Sequence, residues 1–364
     1  MNQASTGGRA PRIWSRTNQL IIAAAERLGA TAEPLTATET DFFLRLRHGE
    51  RAVIVSKTRS PFLTQVAQTL SNNKRVSREL LGAAGLPVPP DRLVDDARGP
   101  EEVGLAEFLA VHGAVTVKPN WGNRGSGLTA RVEDPATLVR AIDRAQAEDR
   151  DEEALIEPYL PGVNLRITVI GGRVEGIAEI QRPTLRGDGE RSAIAAVAEL
   201  NRDGRRTGWR RPRLVGLDRV AVSGELTDHL AIHGLRVDAP LPAGFCLEIV
   251  GEEAEIIDRT DEVDPGWGAV AARACAILGV DVGGVDLRGP LAAFLRPPAS
   301  GGERWREGAI LEVNVLPALH LHALPTVGAA RPVFDAFVAY CLSLPGAPAP
   351  RSTVEAAAAP LLSG

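Results

Sequence analysis

The chain has 364 residues, 44% of them hydrophobic and 24% charged, with a formal net charge of −5. That length suits two or three packed subdomains rather than one small core. The acidic balance argues against a nucleic-acid partner, which would need a basic face to meet phosphates. No apolar run reaches the roughly 18 residues that span a bilayer, and residues 1–12 lack the apolar core of a signal peptide. Cytoplasmic residence with no membrane partner is the expectation.

Apolar residues at 18–28 fall at helical spacing and stop at Gly29. Residues 42–46 and 52–55 read as short strands around the turn His48-Gly49-Glu50. Residues 62–70 and 74–84 read as helices. The Leu-Pro-Val-Pro-Pro run that follows Gly85 reads as a linker, since proline and the residue before it resist helix. A second unit holds a helix at 105–112, strands at 114–118 and 128–132 around a glycine-rich loop, a helix at 135–147 and a strand at 154–156. A third begins with strands at 165–170 and 174–180 joined by Gly171-Gly172. Residues 183–245 are mixed, and the Arg-rich part at 202–213 reads as a solvated loop or insertion. An Ala-rich buried helix at 268–278, strands at 282–287 and 309–315 and a closing helix at 331–342 complete the pattern. The expected division is an N-terminal α/β domain at 1–88, a second α/β unit at 89–160, a third at 161–345 and a mobile tail at 346–364.

Cys246, Cys275 and Cys341 show no metal spacing and read as reduced thiols in apolar sites. Of 41 basic residues only Lys57, Lys74 and Lys118 are lysines. A compact ammonium differs physically from a planar guanidinium, so a surviving lysine hints at a place where arginine would not serve.

Lys118 ends a strand, and glycines follow at 122, 125 and 127. Glycines let backbone N–H groups crowd an anion while a nearby lysine adds a point charge. Lysine precedes the glycines and a strand follows them, so the pattern is not a Walker loop. It suits a hairpin flap over phosphates, with a plain flexible hairpin as the alternative. Glu312 and Asn314 lie two apart on the apolar strand Ile310-Leu311-Glu312-Val313-Asn314-Val315 and so share a face. A buried carboxylate there needs a partner. Magnesium, which takes few protein oxygens, would satisfy it together with Asp286; an arginine partner is the alternative. Glu157-Pro158-Tyr159-Leu160 ends a strand in an irregular segment whose free amides and carbonyls could read an adenine edge, unless it is an ordinary loop.

Taken in order, Ser-Asn-Asn-Lys ending at Lys74, Val117-Lys118-Pro119 with its glycine loop, Ile156-Glu157-Pro158-Tyr159 and Glu312-Val313-Asn314 resemble the motifs of the ATP-grasp ligases. The resemblance runs over residues 15 to 342 and is nearest to the ATP-grasp module of cyanophycin synthetase and of bifunctional glutathione synthetase. Arg182-Pro183 with Gly187-Asp188-Gly189, Asp258-Arg259-Thr260-Asp261, and Asn314-Val315-Leu316-Pro317 followed by His322 and Pro325 add to it. It implies an α/β (α+β) ATP-grasp fold, two α/β subdomains gripping ATP plus an N-terminal α/β domain. It implies that Lys74 and Lys118 contact ATP phosphates. Gly122, Asn123, Arg124, Gly125, Ser126 and Gly127 would form the flap, and Glu157, Pro158, Tyr159 and Leu160 the adenine hinge. Asp286, Glu312 and Asn314 would hold two Mg²⁺ ions, with Mn²⁺ as a substitute, and Arg166 and Arg182 would stabilise the transferring phosphoryl group. His320 and His322 are candidates for substrate contact, with packing as the alternative.

Two departures stand out. Asn164 occupies the position where the family usually carries an acid for the ribose hydroxyls, and Ala318 replaces a glycine. No second ligase module is evident in the sequence, so a complete cyanophycin synthetase or bifunctional glutathione enzyme is not expected. The implied activity is ATP-dependent joining of a carboxylate to an amine through an acyl-phosphate, with amino acids or short peptides as substrates and a homodimer or tetramer as the assembly. The alternatives are an ATP-binding regulatory protein without turnover and a phosphotransferase on the same fold.

Overall fold

The computed structural model describes residues 15–350 except 36–41, 96–97, 102, 123–124, 207–216, 218, 250–253 and 302. Asn123 and Arg124, part of the Arg-rich run and the tail beyond 350 therefore lie outside the described residues, as do residues 1–14.

The first helix, α1 (Arg16–Arg27), starts where the Ser15 side chain accepts a hydrogen bond from the Asn18 backbone N–H. Three antiparallel strands follow in spatial order: β1 (Thr31–Pro34), β2 (Phe43–His48) and β3 (Arg51–Ser56). Next come α2 (Gln65–Asn72) and α3 (Lys74–Ala83). Helix α2 begins three residues later than the apolar pattern suggests, because Thr64 caps it by accepting from the Ala67 N–H. Asn73 caps α3 in the same way through the Val76 N–H, which sets Lys74 at the first helical position.

The second unit contains β4 (Arg92–Val94), α4 (Leu105–His112), β5 (Val115–Pro119), β6 (Thr129–Val132), α5 (Pro135–Glu148) and β7 (Ala154–Pro158). Its sheet has the order β4-β7-β5-β6. Val115, Val117 and Ile156 pack against Phe108, Leu138 and Ile142 of the two helices.

Beyond it run β8 (Val163–Ile170), β9 (Arg173–Gln181), β10 (Thr184–Arg186), α6 (Ala193–Leu200), α7 (Gly224–Ile232), β11 (Cys246–Glu248), β12 (Glu255–Asp258), α8 (Pro265–Ile277), β13 (Val282–Gly289), α9 (Leu291–Phe294), β14 (Ala309–Asn314), α10 (His320–Ala323) and α11 (Val333–Leu342). Five of these strands form an antiparallel sheet in the order β12-β9-β8-β13-β14. Alternation along the strands sorts its two faces. Leu165, Ile167, Val169, Val285, Leu287 and Val313 enter the core with Trp267, Ala271 and Ala274 of α8, while Asn164, Arg166, Asp286 and Glu312 line a cleft on the opposite side.

The region read as mixed holds a small unit of its own, while the loop expected at 202–213 lies partly outside the described residues. Strands β10 and β11 pair with each other, and Leu185, Leu247, Val197, Leu226 and Leu230 make a separate small core with α6 and α7. The sequence reading also left out β1, β4 and β12. Cys275 and Cys341 are buried as expected, but Cys246 is exposed on the edge of the small sheet. Helix α11 packs on the first sheet: Phe334, Phe337 and Val338 share one core with Ile21, Leu44, Leu46 and Val55. Among the described residues no helix is long and apolar enough to cross a membrane.

Candidate active site

The acidic centre of the cleft follows from strand register. Asp286 on β13 sits opposite Arg166 on β8 and opposite Glu312 on β14, so three charged side chains form one row across the sheet. A bulge shifts the β13–β14 register after Asp286, pairing Leu287 with Ile310. Leu311 becomes the extra residue, and it lines the cleft together with its neighbour Glu312.

Arg166 grips Asp286 with two parallel bonds, Nε to Oδ1 at 2.6 Å and Nη2 to Oδ2 at 2.5 Å. Asn314 donates its amide to Asp286 Oδ2 at 3.2 Å and to Glu312 Oε1 at 3.1 Å. Burial pushes the Asp286 carboxyl up against the pull of Arg166, and the neighbouring Glu312 adds to the rise. Glu312 is held low: burial opposes this, but the Lys74 ammonium, the bond to Asp286 and the Lys118 charge outweigh it. Two carboxylates that disfavour each other's charge are oxygen donors that a divalent cation fits, and Asn314, whose NH₂ group now bridges them, would add its carbonyl oxygen with the amide turned over. Among the described residues no group of three or more His, Cys, Asp or Glu side chains is placed to hold a metal ion, so at this site the third ligand would be the Asn314 amide.

The basic side of the cleft is built on β5, β7 and α3. Lys118 Nζ lies 2.9 Å from Glu157 Oε1, and both side chains are buried. Burial, with Arg78 adding to it, lowers the Lys118 ammonium to about 8 against the pull of Glu157. Arg78, one helical turn beyond Lys74 and 3% exposed, pairs with the second Glu157 oxygen and donates to the Leu311 carbonyl at 3.2 Å. Lys74 Nζ reaches the carbonyls of Pro119, Asn120 and Gly122 at 3.2, 3.3 and 3.1 Å, fastening the root of the glycine loop to α3. The loop turns at Gly125, φ +75°, a conformation open to glycine at little cost.

The hinge at 157–160 leads into Gly162. There φ is +125°, and a Cβ would lie 2.1 Å from the Gly289 carbonyl oxygen, so only glycine lets this segment close on the end of β13. Next to it Arg288 joins three groups. Its Nε donates to the Leu160 carbonyl at 2.5 Å, Nη1 to Asn164 Oδ1 at 2.8 Å and Nη2 to Glu248 Oε1 at 3.0 Å.

Most of the predicted residues therefore meet. Lys74, Lys118, Gly122, Gly125, Ser126, Glu157, Pro158, Tyr159, Leu160, Asn164, Arg166, Arg182, Asp286 and Glu312 line one cleft. Asn314 borders it through the two carboxylates. Gly127 does not line it, and Glu157 uses its carboxylate on Lys118 and Arg78, leaving only its backbone for a hinge role. Neither histidine lines the cleft. His322 is 3% exposed, bonded through Nε2 to Thr168 Oγ1 at 2.8 Å, and burial lowers it to about 3. It packs inside the fold. Asp258 and Asp261 are likewise remote from the cleft and are clamped by Arg331 at 2.5 and 2.6 Å. Arg78, Arg288 and Glu248 escaped the sequence reading. For Arg78 a signal existed, since it stands four residues after Lys74 and so shares its helix face.

The glycine-loop hairpin, the irregular segment after β7 and the acidic strand pair thus surround one cleft. The structure matches the crystal structure of a bifunctional glutathione synthetase from Pasteurella multocida with a TM-score of 0.57 at 23% identity, over 90% of this chain and 44% of that one. In sequence the chain is 26% identical over 328 residues to the cyanophycin synthetase of Crocosphaera subtropica, covering 88% of this chain and 36% of that protein. It is 28% identical over 328 residues to the bifunctional glutathione biosynthesis protein of Enterococcus faecalis, covering 88% of this chain and 41% of that protein. The chain thus spans well under half the length of these curated relatives. No protein-family model matches it.

Proposed function

We propose that this chain is an ATP-dependent carboxylate–amine ligase that forms an amide bond between amino acids, or between an amino acid and a short peptide, through an acyl-phosphate, releasing ADP and phosphate. The observation that carries this is the meeting of Asp286 and Glu312 with Lys74 and Lys118 across one cleft, beneath the glycine loop. The sequence similarity to two synthetases supports the same reaction class.

A carboxylate is a poor electrophile at neutral pH, and phosphorylation gives it a good leaving group. The protein's task is then to position reactants and offset charge. In our assignment the 89–160 unit holds the phosphates with Lys118 and the loop backbone, and Tyr159 and Leu160 hold the base. Lys74 anchors the loop. In the 161–345 unit Asp286, Glu312 and Asn314 would hold two Mg²⁺ ions, for which Mn²⁺ could substitute. When bound, these supply charge neutralisation at the phosphates. Arg166 orients Asp286. The Arg182 guanidinium has no hydrogen-bond partner among the described residues, its carbonyl alone accepting from Thr184 Oγ1, and the residue is shared between the cleft and a second cavity of about 710 Å³. A cavity of that size suits an amino-acid or peptide substrate. Arg182 would there face the reacting carboxylate and the developing acyl-phosphate.

The test is phosphate release across a matrix of amino-acid and dipeptide pairs, with products identified by mass. ADP and phosphate should appear only when acid, amine, ATP and Mg²⁺ are all present, together with an amide. AMP and pyrophosphate would overturn the acyl-phosphate route. A phosphorylated product without an amide would make the chain a phosphotransferase, and nucleotide binding with no product from any pair would make it a regulatory protein.

A further inference from the structure

We propose that Glu248, carried on β11 by the 183–249 unit, supplies the carboxylate that grips the nucleotide ribose, a role the hinge-proximal Asn164 cannot fill alone. This rests on the nucleotide site assigned above.

Arg288 has donors only. The Asn164 atom 2.8 Å from its Nη1 must therefore be the carbonyl oxygen, and the Asn164 amide is oriented accordingly. What Asn164 leaves for the cleft is its NH₂ group, which donates and does not accept. A ribose diol presents two hydroxyls, each able to donate its own proton and to accept one, so an acceptor is needed beside the donor that Asn164 offers.

Glu248 provides that acceptor. Its Oε1 takes the other terminal nitrogen of the same guanidinium at 3.0 Å, so one planar fork holds Asn164 and Glu248 side by side. Among the described residues the second oxygen of Glu248 has no hydrogen-bond partner. The side chain is 36% exposed and lines the cleft with Asn164, Tyr159 and Leu160. Arg288 also holds the Leu160 carbonyl at 2.5 Å, which fixes the distance of the pair from the hinge. Donor and acceptor thus stand next to each other on one rigid support, complementary to two adjacent hydroxyls.

Binding of ADP, 2′-deoxy-ADP and 3′-deoxy-ADP in the presence of Mg²⁺ tests this by calorimetry on the full chain and on the Glu248→Gln and Glu248→Ala variants. The unaltered protein should prefer ADP over at least one deoxy form by about tenfold or more, the worth of a charge-assisted hydrogen bond. In both variants that preference should fall to about twofold, and Asn164→Asp added to Glu248→Ala should restore it. A merely structural Glu248 would weaken all three nucleotides equally and leave the preference intact, which overturns the inference while the nucleotide site stands. An unaltered protein that binds ADP without preferring it over either deoxy form also overturns the inference alone. Failure of the unaltered protein to bind any of the three overturns both.

Discussion

At the scale of single residues the site depends on charges that neutralise one another inside the protein. Glu312 stands where Lys74, Lys118 and Arg166 all act on it, and an amide there cannot offset a cation. Glu312→Gln should lower turnover in the proposed ligase reaction by on the order of a hundredfold or more, with an unchanged far-ultraviolet spectrum. Arg78 is a different case. It is buried with Glu157 and Lys118, and its removal leaves that pair with an unmet carboxylate oxygen. Arg78→Ala should cost about 3 kcal/mol of unfolding free energy in a denaturant titration. Lys74 and Lys118 were legible because lysine is rare in this chain and both stand beside sequence punctuation, one at a helix start and one before the glycines. Arg78, Arg288 and Glu248 were not. Arginine supplies nearly every basic residue here, so no single one is conspicuous, and Glu248 reaches the cleft only through pairing with a strand some sixty residues away.

Among the secondary-structure elements, the long apolar strands were legible and three short edge strands were not. β8, β9, β13 and β14 are six to nine residues long and rich in buried apolar residues, which marks them as strands. β1, β4 and β12 each end a sheet and are three or four residues long, too short to show a period. The 183–249 unit was opaque for a related reason: its core joins α6, α7, β10 and β11 across a long sequence separation. The join between hinge and β13 makes a sharp prediction. With φ at +125° and the Gly289 carbonyl 2.1 Å from any added Cβ, Gly162→Ala must move one strand end. The expected loss is about 2–4 kcal/mol, read as a lower melting temperature, and nucleotide affinity should fall with it because Leu160 and Asn164 flank the shifted turn.

For the molecule as a whole, acid should be the weak side. His229 and His322 are buried, and burial lowers each to about 3, whereas in the unfolded chain a histidine takes its proton near pH 6.5. Above that pH both states are neutral and nothing changes. Between about 6.5 and 3 the unfolded chain binds protons that the folded one refuses, so stability falls as pH falls, by about 1.4 kcal/mol per pH unit for each histidine. Unfolding free energies measured from pH 7 to 5 should show this slope, and His322→Gln should make it shallower.

Helix α11 lies near the far end of the chain yet closes the core of the first sheet. A ribosome therefore exposes Leu44, Leu46 and Val55 long before it makes Phe334 and Phe337. Nascent chains stalled before residue 333 should remain open to protease between α1 and β3, and release of the last helix should close that window. The first sheet is thus made early and becomes native late.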